Sequence, residues 1–320
     1  MRMYYTTSVG DVKAVDGLNF SLAQGEVLGI VGESGCGKSS LASTLLKLLP
    51  SNAIVKEGRI IVDDRDLIPL RDQDVRSSIR WTKIALVPQG AMNSLNPVLK
   101  VGDQIAEAIT IHSDVTKSEA MAKTDSLLKL VGVDPARGKH YPHEFSGGMK
   151  QRAMIAMSLA LNPRILIADE PTTALDVIVQ AGIIRLLLSL RDEFKMAIIL
   201  ISHDLALVAQ MSDTTAIMYA GKFVEYGASK EVYKNALHPY TLGLLGAFAD
   251  IRKPKEALTA VPGSPPDLIE PPEGCRFHPR CPYAEEVCRS KEPPLAEAWE
   301  GHMVACHFWR EIRTRRGEKK

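Results

Sequence analysis

The chain has 320 residues, of which 45% are hydrophobic and 24% are charged, and its formal net charge is +1. This length is sufficient for a large core and two domains, and a net charge so close to zero gives no electrostatic reason to expect nucleic acid as a partner. No apolar run approaches the roughly 18 to 20 residues that a membrane-spanning helix needs, and the first residues do not resemble a signal peptide. We therefore expect a cytosolic protein, or one attached to a membrane through partners.

The N-terminal segment predicts an antiparallel hairpin. Tyr4 and Tyr5 precede a turn at residues 9–11, and apolar positions alternate over residues 12–22. We expect this hairpin to lie beside the strand that follows it.

A glycine-rich turn follows the short apolar run at residues 27–31, which predicts a buried strand of a parallel sheet. Residues 32–39, G-E-S-G-C-G-K-S, fit the pattern G-x-x-x-x-G-K-[ST], and leucines at helical spacing come next. The backbone N–H groups of such a loop curl around phosphates, and the helix directs its positive N-terminal end at them. Lys38 is expected to reach the β- and γ-phosphates and Ser39 to ligate Mg²⁺.

Further nucleotide contacts are predicted within and near this loop. Cys36 lies at the N-terminus of a helix, where a thiolate is favoured. The ring of Tyr5 can stack on an adenine, although packing on the sheet explains it equally well. The other candidates are Gly32, Ser34, Gly35, Gly37 and Ser40.

The middle of the chain adds a glutamine and a helical region. The apolar run at residues 84–87 predicts a strand, and Gln89 follows it. A glutamine in this position can reach Mg²⁺ or an attacking water, although such a residue is more often an ordinary strand cap. From about residue 91 to residue 155 the pattern becomes helical, which predicts an inserted helical subdomain.

A second glycine pair lies at the end of this helical region. Ser146, Gly147 and Gly148 stand at the start of a helix, where backbone N–H groups can bind an anion as in the first loop. Because the chain already has one phosphate loop, we expect these residues to cap the γ-phosphate held by another subunit. The site would then be composite, across a dimer.

Two carboxylates and a histidine close the next two predicted strands. Asp169 is placed to ligate Mg²⁺, directly or through water, and Glu170 to orient and deprotonate the attacking water. A helix is predicted over residues 177–194 and a strand over residues 196–201, with His203 just after the strand. His203 can contact a γ-phosphate there, although a lone histidine is more often structural and paired acids can be a solvated strand end.

Four cysteines crowd the C-terminal part of the chain, which argues for a metal site more than for a disulfide framework. Their spacing lacks the two-residue knuckle of zinc ribbons, and four thiolates suit an iron–sulfur cluster. Zinc, with His278, His302 and His307 as alternative ligands, and free structural cysteines are the other interpretations. The cysteines are Cys275, Cys281, Cys288 and Cys306.

Taken together, the motifs carry a family resemblance over residues 1–235. G-E-S-G-C-G-K-S, Gln89, F-S-G-G-M, I-L-I-A-D-E-P, T-A-L-D and S-H-D, in this order, resemble those of the ATP-binding subunits of ABC transporters. The H-P-Y-T sequence at residues 238–241 and the cysteine-bearing tail resemble the oligopeptide and dipeptide importer branch, which also includes nickel and some oligosaccharide importers.

The resemblance implies an α/β fold of the P-loop NTPase (RecA-like) type. We expect a parallel sheet with an antiparallel β layer in residues 1–235, with the helical subdomain inserted at about residues 91–155. Residues 236–320 would form a small accessory domain, for which the resemblance implies a [4Fe-4S] cluster on the four cysteines.

The implied function is hydrolysis of ATP with Mg²⁺ to energise import of di- or oligopeptides. The chain would work at the cytoplasmic face of the membrane with two transmembrane permease subunits, a second related ATPase subunit or another copy of itself and, indirectly, an extracellular or periplasmic substrate-binding protein. The alternative is a soluble ABC-type ATPase switch acting on nucleic acid or the ribosome, but the chain has neither a long coiled-coil insertion nor tandem cassettes.

The resemblance also distributes roles among the residues. Lys38, Gln89, Glu170 and His203 are implied to be catalytic, and Ser39, Gln89 and Asp169 to hold Mg²⁺. Asp176, in T-A-L-D, is a further implied nucleotide contact.

Overall fold

A computed structural model describes residues 1–246 and 261–317; residues 247–260, which fall in the predicted accessory domain, and the last three residues lie outside the described part. The strands in the described part are β1 (Arg2–Thr7), β2 (Gly10–Asp16), β3 (Val27–Val31), β4 (Ala53–Glu57), β5 (Ile61–Val62), β6 (Arg65–Asp66), β7 (Ile84–Val87), β8 (Ile165–Asp169), β9 (Ala197–Ser202), β10 (Thr214–Tyr219), β11 (Lys222–Ala228), β12 (Ala296–Trp299) and β13 (His302–Val304).

The helices in the same part are α1 (Lys38–Leu45), α2 (Asp72–Ser78), α3 (Val101–His112), α4 (Lys117–Leu130), α5 (Gly147–Ser158), α6 (Val177–Phe194), α7 (Leu205–Met211), α8 (Ser229–Lys234), α9 (Pro239–Gly246), α10 (Glu286–Ser290) and α11 (Trp309–Gly317). Among these described helices, none is both long enough and apolar enough to cross a membrane.

The main sheet has the strand order β12-β13-β11-β10-β3-β9-β8-β7, and its five strands from β10 to β7 are parallel. All five residues of β3 are buried, as expected for a parallel strand covered on both faces. The carboxyl ends of β3, β7, β8 and β9 meet at one edge of this sheet, where ligands bind in open α/β folds. Within two residues, these four strand ends are followed by the phosphate loop, Gln89, Glu170 and His203 respectively.

The N-terminal hairpin does not pair with β3, so that part of the sequence prediction is wrong. β1 and β2 join β4 in a separate three-stranded antiparallel sheet, and β2 ends at Asp16. The physical reason is that β3 already bonds to β9 on one edge and β10 on the other, which leaves no free edge. The hairpin instead forms an antiparallel layer, and its buried Met3 and Val15 belong to the same core cluster as Leu28 and Ile30.

The helical region contains α3, α4 and α5. Thr116 caps α4: its Oγ1 accepts a hydrogen bond from the Glu119 N–H, and Glu119 Oε2 accepts one from the Thr116 N–H. This reciprocal capping box satisfies two backbone donors at the start of the helix. Ser146 caps α5 in a similar way, with its Oγ accepting from the Met149 N–H.

The C-terminal residues extend the main sheet through β13 and β12. A fully buried side chain, Glu225 on β11, fixes them in place. Its Oε1 accepts hydrogen bonds from the Leu237 N–H at 2.7 Å and from His302 Nε2 at 2.8 Å, and its Oε2 accepts from the His238 N–H at 3.0 Å. One carboxylate thus joins β11, the start of α9 and β13.

Replacing Glu225 by Ala should lower the free energy of unfolding by about 3 kcal/mol, because the change leaves buried donors without an acceptor. Denaturant unfolding followed by circular dichroism and by tryptophan fluorescence would measure the loss. Glu231→Ala is the matched control, since its recorded side-chain partner is the exposed Asn235, and it should change stability by less than about 0.5 kcal/mol. Equal effects of the two changes would contradict the structural role of Glu225.

Candidate nucleotide site

Lys38 lies inside the curl of the phosphate loop. Its ammonium Nζ donates hydrogen bonds to the carbonyl oxygens of Gly32 at 2.7 Å and Glu33 at 2.9 Å, and only 6% of the residue is exposed. The backbone therefore holds the ammonium at the N-terminal end of α1, where an anion is favoured by the helix dipole.

Two glycines of this loop are required by close packing. Gly37 has a φ of +107°, and a Cβ there would lie 2.0 Å from the carbonyl oxygen of Ala14. A Cβ on Gly32 would lie 2.1 Å from the carbonyl oxygen of Met218. The loop therefore presses directly against β2 and β10, which only glycine permits at these two positions.

The predicted thiolate of Cys36 is wrong. Only 2% of the residue is exposed, and this burial raises the pKa of the thiol, although the nearby Lys38 acts in the opposite direction. Burial in an apolar environment disfavours the charged form. Cys36 therefore packs as a small core side chain of the loop.

Glu170 is the meeting point of the site. Its Oε2 accepts hydrogen bonds from Gln89 Nε2 at 3.1 Å and from Thr173 Oγ1 at 3.0 Å, and its Oε1 lies 3.1 Å from His203 Nδ1. Gln89 follows β7, Glu170 follows β8 and His203 follows β9, so three strand ends contribute to one cluster. The structure thus brings together three of the four residues predicted to be catalytic.

The surroundings of Glu170 keep its carboxyl group ionised. Burial alone would raise its pKa, but the hydrogen bonds from His203 and Thr173 outweigh burial and lower the pKa below the usual value. The backbone of Glu170 has a φ of +49°, an uncommon conformation for a residue with a side chain. Its N–H donates to the Ile201 carbonyl oxygen at 2.8 Å, which holds this turn against β9.

Asp169 lies next to Ser39 and has a buried oxygen without a partner. Burial raises the pKa of its carboxyl group, and a hydrogen bond with Ser39 partly offsets the effect. Within the described residues its Oδ1 is buried and makes no hydrogen bond, which is unusual for a buried polar atom. A hydroxyl beside an unsatisfied carboxylate oxygen is a donor set that Mg²⁺ accepts, so these two residues fit the ion.

Other predicted contacts lie at the surface of the loop or away from it. Ser34 and Gly35 are exposed. Tyr5 is half-buried and its hydroxyl donates to Ser40 Oγ at 3.1 Å, so the ring lies beside α1. Asp176 caps α6, with its Oδ1 accepting from the Val179 N–H at 2.9 Å. Adenine stacking by Tyr5 and nucleotide contact by Asp176 stay predictions.

Ser146, Gly147 and Gly148 lie at the start of α5, and Gly148 faces α6. A Cβ on Gly148 would lie 2.6 Å from Val179 Cγ1, and one on Gly147 would lie 3.0 Å from Met92 Sδ. The two glycines therefore allow α5 to approach these neighbours closely. The recorded side-chain bond of Ser146 is its helix cap, so its contact with a phosphate stays a prediction.

Comparison with known proteins decides the family. Residues 15–173 match the family model described as ABC transporter, and residues 224–288 match the model described as oligopeptide/dipeptide transporter, C-terminal region. The chain is 46% identical over 308 residues to the oligopeptide transport ATP-binding protein OppD of Escherichia coli (strain K12), covering 96% of this chain and 90% of that protein. The chain belongs to the ABC transporter family.

Other similar proteins agree with this membership. The dipeptide transport ATP-binding protein DppD of Bacillus subtilis (strain 168) is 46% identical over 309 residues, 96% of this chain and 92% of its own length. The ATP-binding cassette MJ0796, in a dimeric post-hydrolysis state with ADP and Pi, superposes with a TM-score of 0.64 at 26% identity, over 71% of this chain and 96% of that one. The predicted P-loop NTPase fold is confirmed.

The predicted iron–sulfur cluster is wrong, and zinc in its place finds no support. The four thiols border a cavity of about 10 Å³, which is about the space that one water requires. In residues 1–246 and 261–317 no group of three or more His, Cys, Asp or Glu side chains is arranged to hold a metal ion. The two relatives are named only as peptide transport ATP-binding proteins.

Burial favours the protonated form of three of these four thiols. It raises the pKa of Cys275 to about 11 and that of Cys306 to about 12, and it also raises the pKa of Cys281. Neutral thiols behave as small hydrophobic side chains. Cys275 and Cys281 pack against the larger core cluster, and the N–H of Cys275 donates to the carbonyl oxygen of Cys288 at 2.8 Å.

Sequence reasoning missed several residues that contact the loop or Glu170. Thr173 begins the T-A-L-D motif, and its hydroxyl donates a hydrogen bond to Glu170. Glu33 occupies a variable position of the G-x-x-x-x-G-K-[ST] pattern, and its carboxylate pairs with Arg280. An acidic residue inside a phosphate-binding loop is itself a signal, because a carboxylate there requires a cationic partner.

The two loop glycines Gly35 and Gly37 should respond differently to alanine. Gly35 has a φ of +79° and open space around its Cβ position, so Gly35→Ala should cost about 1 kcal/mol of backbone strain. Gly37→Ala adds the collision with Ala14 and should cost about 3 kcal/mol. Thermal and denaturant unfolding without nucleotide would compare them, and a Gly35 variant as unstable as the Gly37 variant would contradict the described packing.

Proposed function

We propose that this chain hydrolyses ATP to energise the import of di- or oligopeptides through separate transmembrane permease subunits, at the cytoplasmic face of a membrane. The observation that carries the ATPase part is the cluster of Gln89, Thr173 and His203 around the ionised Glu170, beside the phosphate loop. The peptide part is supported by the match of residues 224–288 to the oligopeptide/dipeptide transporter C-terminal region and by the names of the relatives.

The proposed chemistry assigns a role to each group. Lys38 would bind the β- and γ-phosphates, and Ser39 with Asp169 would hold Mg²⁺, which neutralises phosphate charge when bound. Glu170, with its lowered pKa, would accept a proton from the attacking water, while Gln89 and His203 orient the carboxylate. The other loop residues, Gly32, Ser34, Gly35, Cys36, Gly37 and Ser40, would surround the phosphates through backbone or hydroxyl groups.

We propose that the complete site requires a second subunit. Ser146, Gly147 and Gly148 lie at the N-terminal end of α5, which has 12 residues, and a helix start of this kind attracts an anion. The partner would be a related ATPase subunit or another copy of this chain. The similar cassette MJ0796 is dimeric in its post-hydrolysis state, which supports such an arrangement.

The proposed contact with a permease subunit is a groove of about 500 Å³ between the helical region and α2 with the residues that follow it. Its walls include Trp81, Leu99 and Ile111, and the last two are 41% and 58% exposed. The segment after Gln89 runs through a 3-10 turn at Ala91–Asn93 and enters the groove wall at Ser94. A cytoplasmic segment of the permease seated there would therefore be connected to Glu170 through Gln89.

Replacing Glu170 by Gln should keep ATP binding but reduce hydrolysis by a factor of about 100 or more, because the amide has the shape of the carboxylate but cannot accept the proton. The variant should accumulate as an ATP-bound assembly of two ATPase subunits. Light scattering with and without ATP and Mg²⁺, alone and mixed with the related subunit, would measure the mass.

The same variant tests the transport role when it is reconstituted with permease subunits and binding protein in vesicles. Peptide-stimulated hydrolysis and uptake should appear with the wild-type chain and with Glu193→Gln, a change at an exposed position of α6, and should disappear with Glu170→Gln. Hydrolysis unaffected by peptide and permease, with no uptake, would reject the importer and favour a soluble ATPase switch.

Replacing His203 by Ala should move the acidic limb of the pH profile of kcat/KM to higher pH. The hydrogen bond from His203 helps to lower the pKa of Glu170, so in the wild type the carboxylate is present above that lowered pKa and is lost as the pH falls through it. Without His203 the pKa rises and the loss begins at higher pH. His143→Ala, at an exposed histidine of the helical region, should leave the limb in place, and an unmoved limb in His203→Ala would contradict Glu170 as the base.

A further inference from the structure

The phosphate loop is held by an arginine from the C-terminal part of the chain. Arg280 Nη1 lies 2.6 Å from Glu33 Oε2, and Arg280 Nη2 lies 2.9 Å from Glu33 Oε1. Glu33 is the residue that follows Gly32 in the loop. Paired contacts of this kind fix the orientation as well as the charge of a carboxylate.

The guanidinium of Arg280 is itself fixed. Only 8% of the residue is exposed, its Nε donates to the Pro262 carbonyl oxygen at 2.6 Å, and its Nη2 donates to the Gly263 carbonyl oxygen at 3.2 Å. The group also lies 5.7 Å from the centroid of the Tyr219 ring. Glu33 therefore cannot turn toward the phosphate side of the loop without breaking contacts to a rigid partner.

The backbone of Glu33 is held by the same region. Its N–H donates to the hydroxyl of Tyr240 at 2.9 Å, and Tyr240 is fully buried at the start of α9. Its carbonyl oxygen accepts from Lys38 Nζ at 2.9 Å. Residue 33 is thus fixed on one side by Arg280 and Tyr240 and on the other by the lysine proposed to bind the phosphates.

An acidic side chain in a phosphate loop is an electrostatic cost for the ligand. A free carboxylate near the polyphosphate would repel it, and this repulsion is strong where water is partly excluded. The ion pair with Arg280 neutralises the carboxylate and holds it away. We propose that Arg280 is a positioning residue for nucleotide binding: by neutralising and orienting Glu33, the C-terminal region sets the affinity of the phosphate loop for ATP.

This inference rests on the proposed assignment of residues 32–39 as the phosphate site, and the test separates the two. The dissociation constant for MgATP would be measured by calorimetry with the full chain and its Lys38→Ala, Arg280→Ala, Glu33→Gln and Arg280→Ala/Glu33→Gln variants. Wild-type and Lys38→Ala chains that bind ATP equally well would reject the site assignment itself.

With the site confirmed, Arg280→Ala should raise the dissociation constant about tenfold, a typical effect of losing a charged hydrogen-bond partner. Glu33→Gln should bind ATP as well as the wild type or better, because it removes the repelling charge. The double variant should return to within about threefold of the wild type. An unchanged constant in Arg280→Ala, or a double variant no better than Arg280→Ala, would overturn the proposal in favour of a purely structural ion pair.

Arg276→Ala is the matched control. Arg276 comes from the same segment and also pairs with a carboxylate, that of Asp16, but its recorded hydrogen bonds go to Asp16 and Ala220 and not to residues 32–39. It should change stability without a tenfold change in ATP affinity. If Arg280→Ala does not fold, Arg280→Gln with and without Glu33→Gln gives the same comparison, since glutamine removes the positive charge but keeps a hydrogen-bond donor.

Salt provides a second readout. The ratio of the constants for Arg280→Ala and the wild type should fall as ionic strength rises, because screening weakens the repulsion from an unpaired Glu33. A ratio independent of salt would indicate a change of loop shape alone and would overturn the electrostatic proposal.

Discussion

The carboxylate of Glu170 is the point on which the nucleotide site depends. Its two oxygens form hydrogen bonds with three side chains, and these side chains follow three adjacent parallel strands, β7, β8 and β9. The parallel order of these strands brings their carboxyl ends to one sheet edge, so residues separated by 81 positions, such as Gln89 and Glu170, become neighbours. Glu170 has a positive φ and directly follows the end of β8.

The second constraint is the charge balance of the phosphate loop, to which residues of the loop itself and of the C-terminal region contribute. Lys38 is held by backbone carbonyl oxygens of the loop, whereas Glu33 in the same loop is paired with Arg280 from far along the sequence. Neutral carbonyl groups do not neutralise the positive charge of the lysine, so it can still attract an anion. The guanidinium does neutralise the carboxylate, which therefore does not repel that anion. The C-terminal region is therefore part of the electrostatics of the loop, and Tyr240 ties its backbone to the same place.

The sequence predicted the parts of this structure that are local and strongly patterned. The strand before the loop, the strand at Ile84–Val87 and the helix at Val177–Phe194 follow from apolar runs and helical spacing. The pairing of the N-terminal hairpin was not predictable from pattern, because it depends on β3 having both edges occupied by distant strands. The predictions for the cysteines were wrong for a related reason. Sequence spacing does not show which side chains are buried, and burial raises the pKa of Cys36 and Cys306. The partner of Glu33 lies 247 positions away, so the charge in the loop was visible in the sequence but Arg280 was not.

In the proposed arrangement of two ATPase subunits, the surface beside α6 is the contact that we expect a partner to cover. Val177 and Ile178, the first two residues of α6, are 79% and 82% exposed, and they directly follow Asp176. Gly148, at the start of α5, approaches Val179 on the same helix, so the exposed apolar pair and the Ser146 helix start lie on neighbouring elements. Exposed apolar side chains that lie together are candidate contacts in an assembly. In the proposed two-subunit arrangement, a partner that covers this pair would bury apolar surface beside the helix start that is proposed to bind the partner's phosphate group.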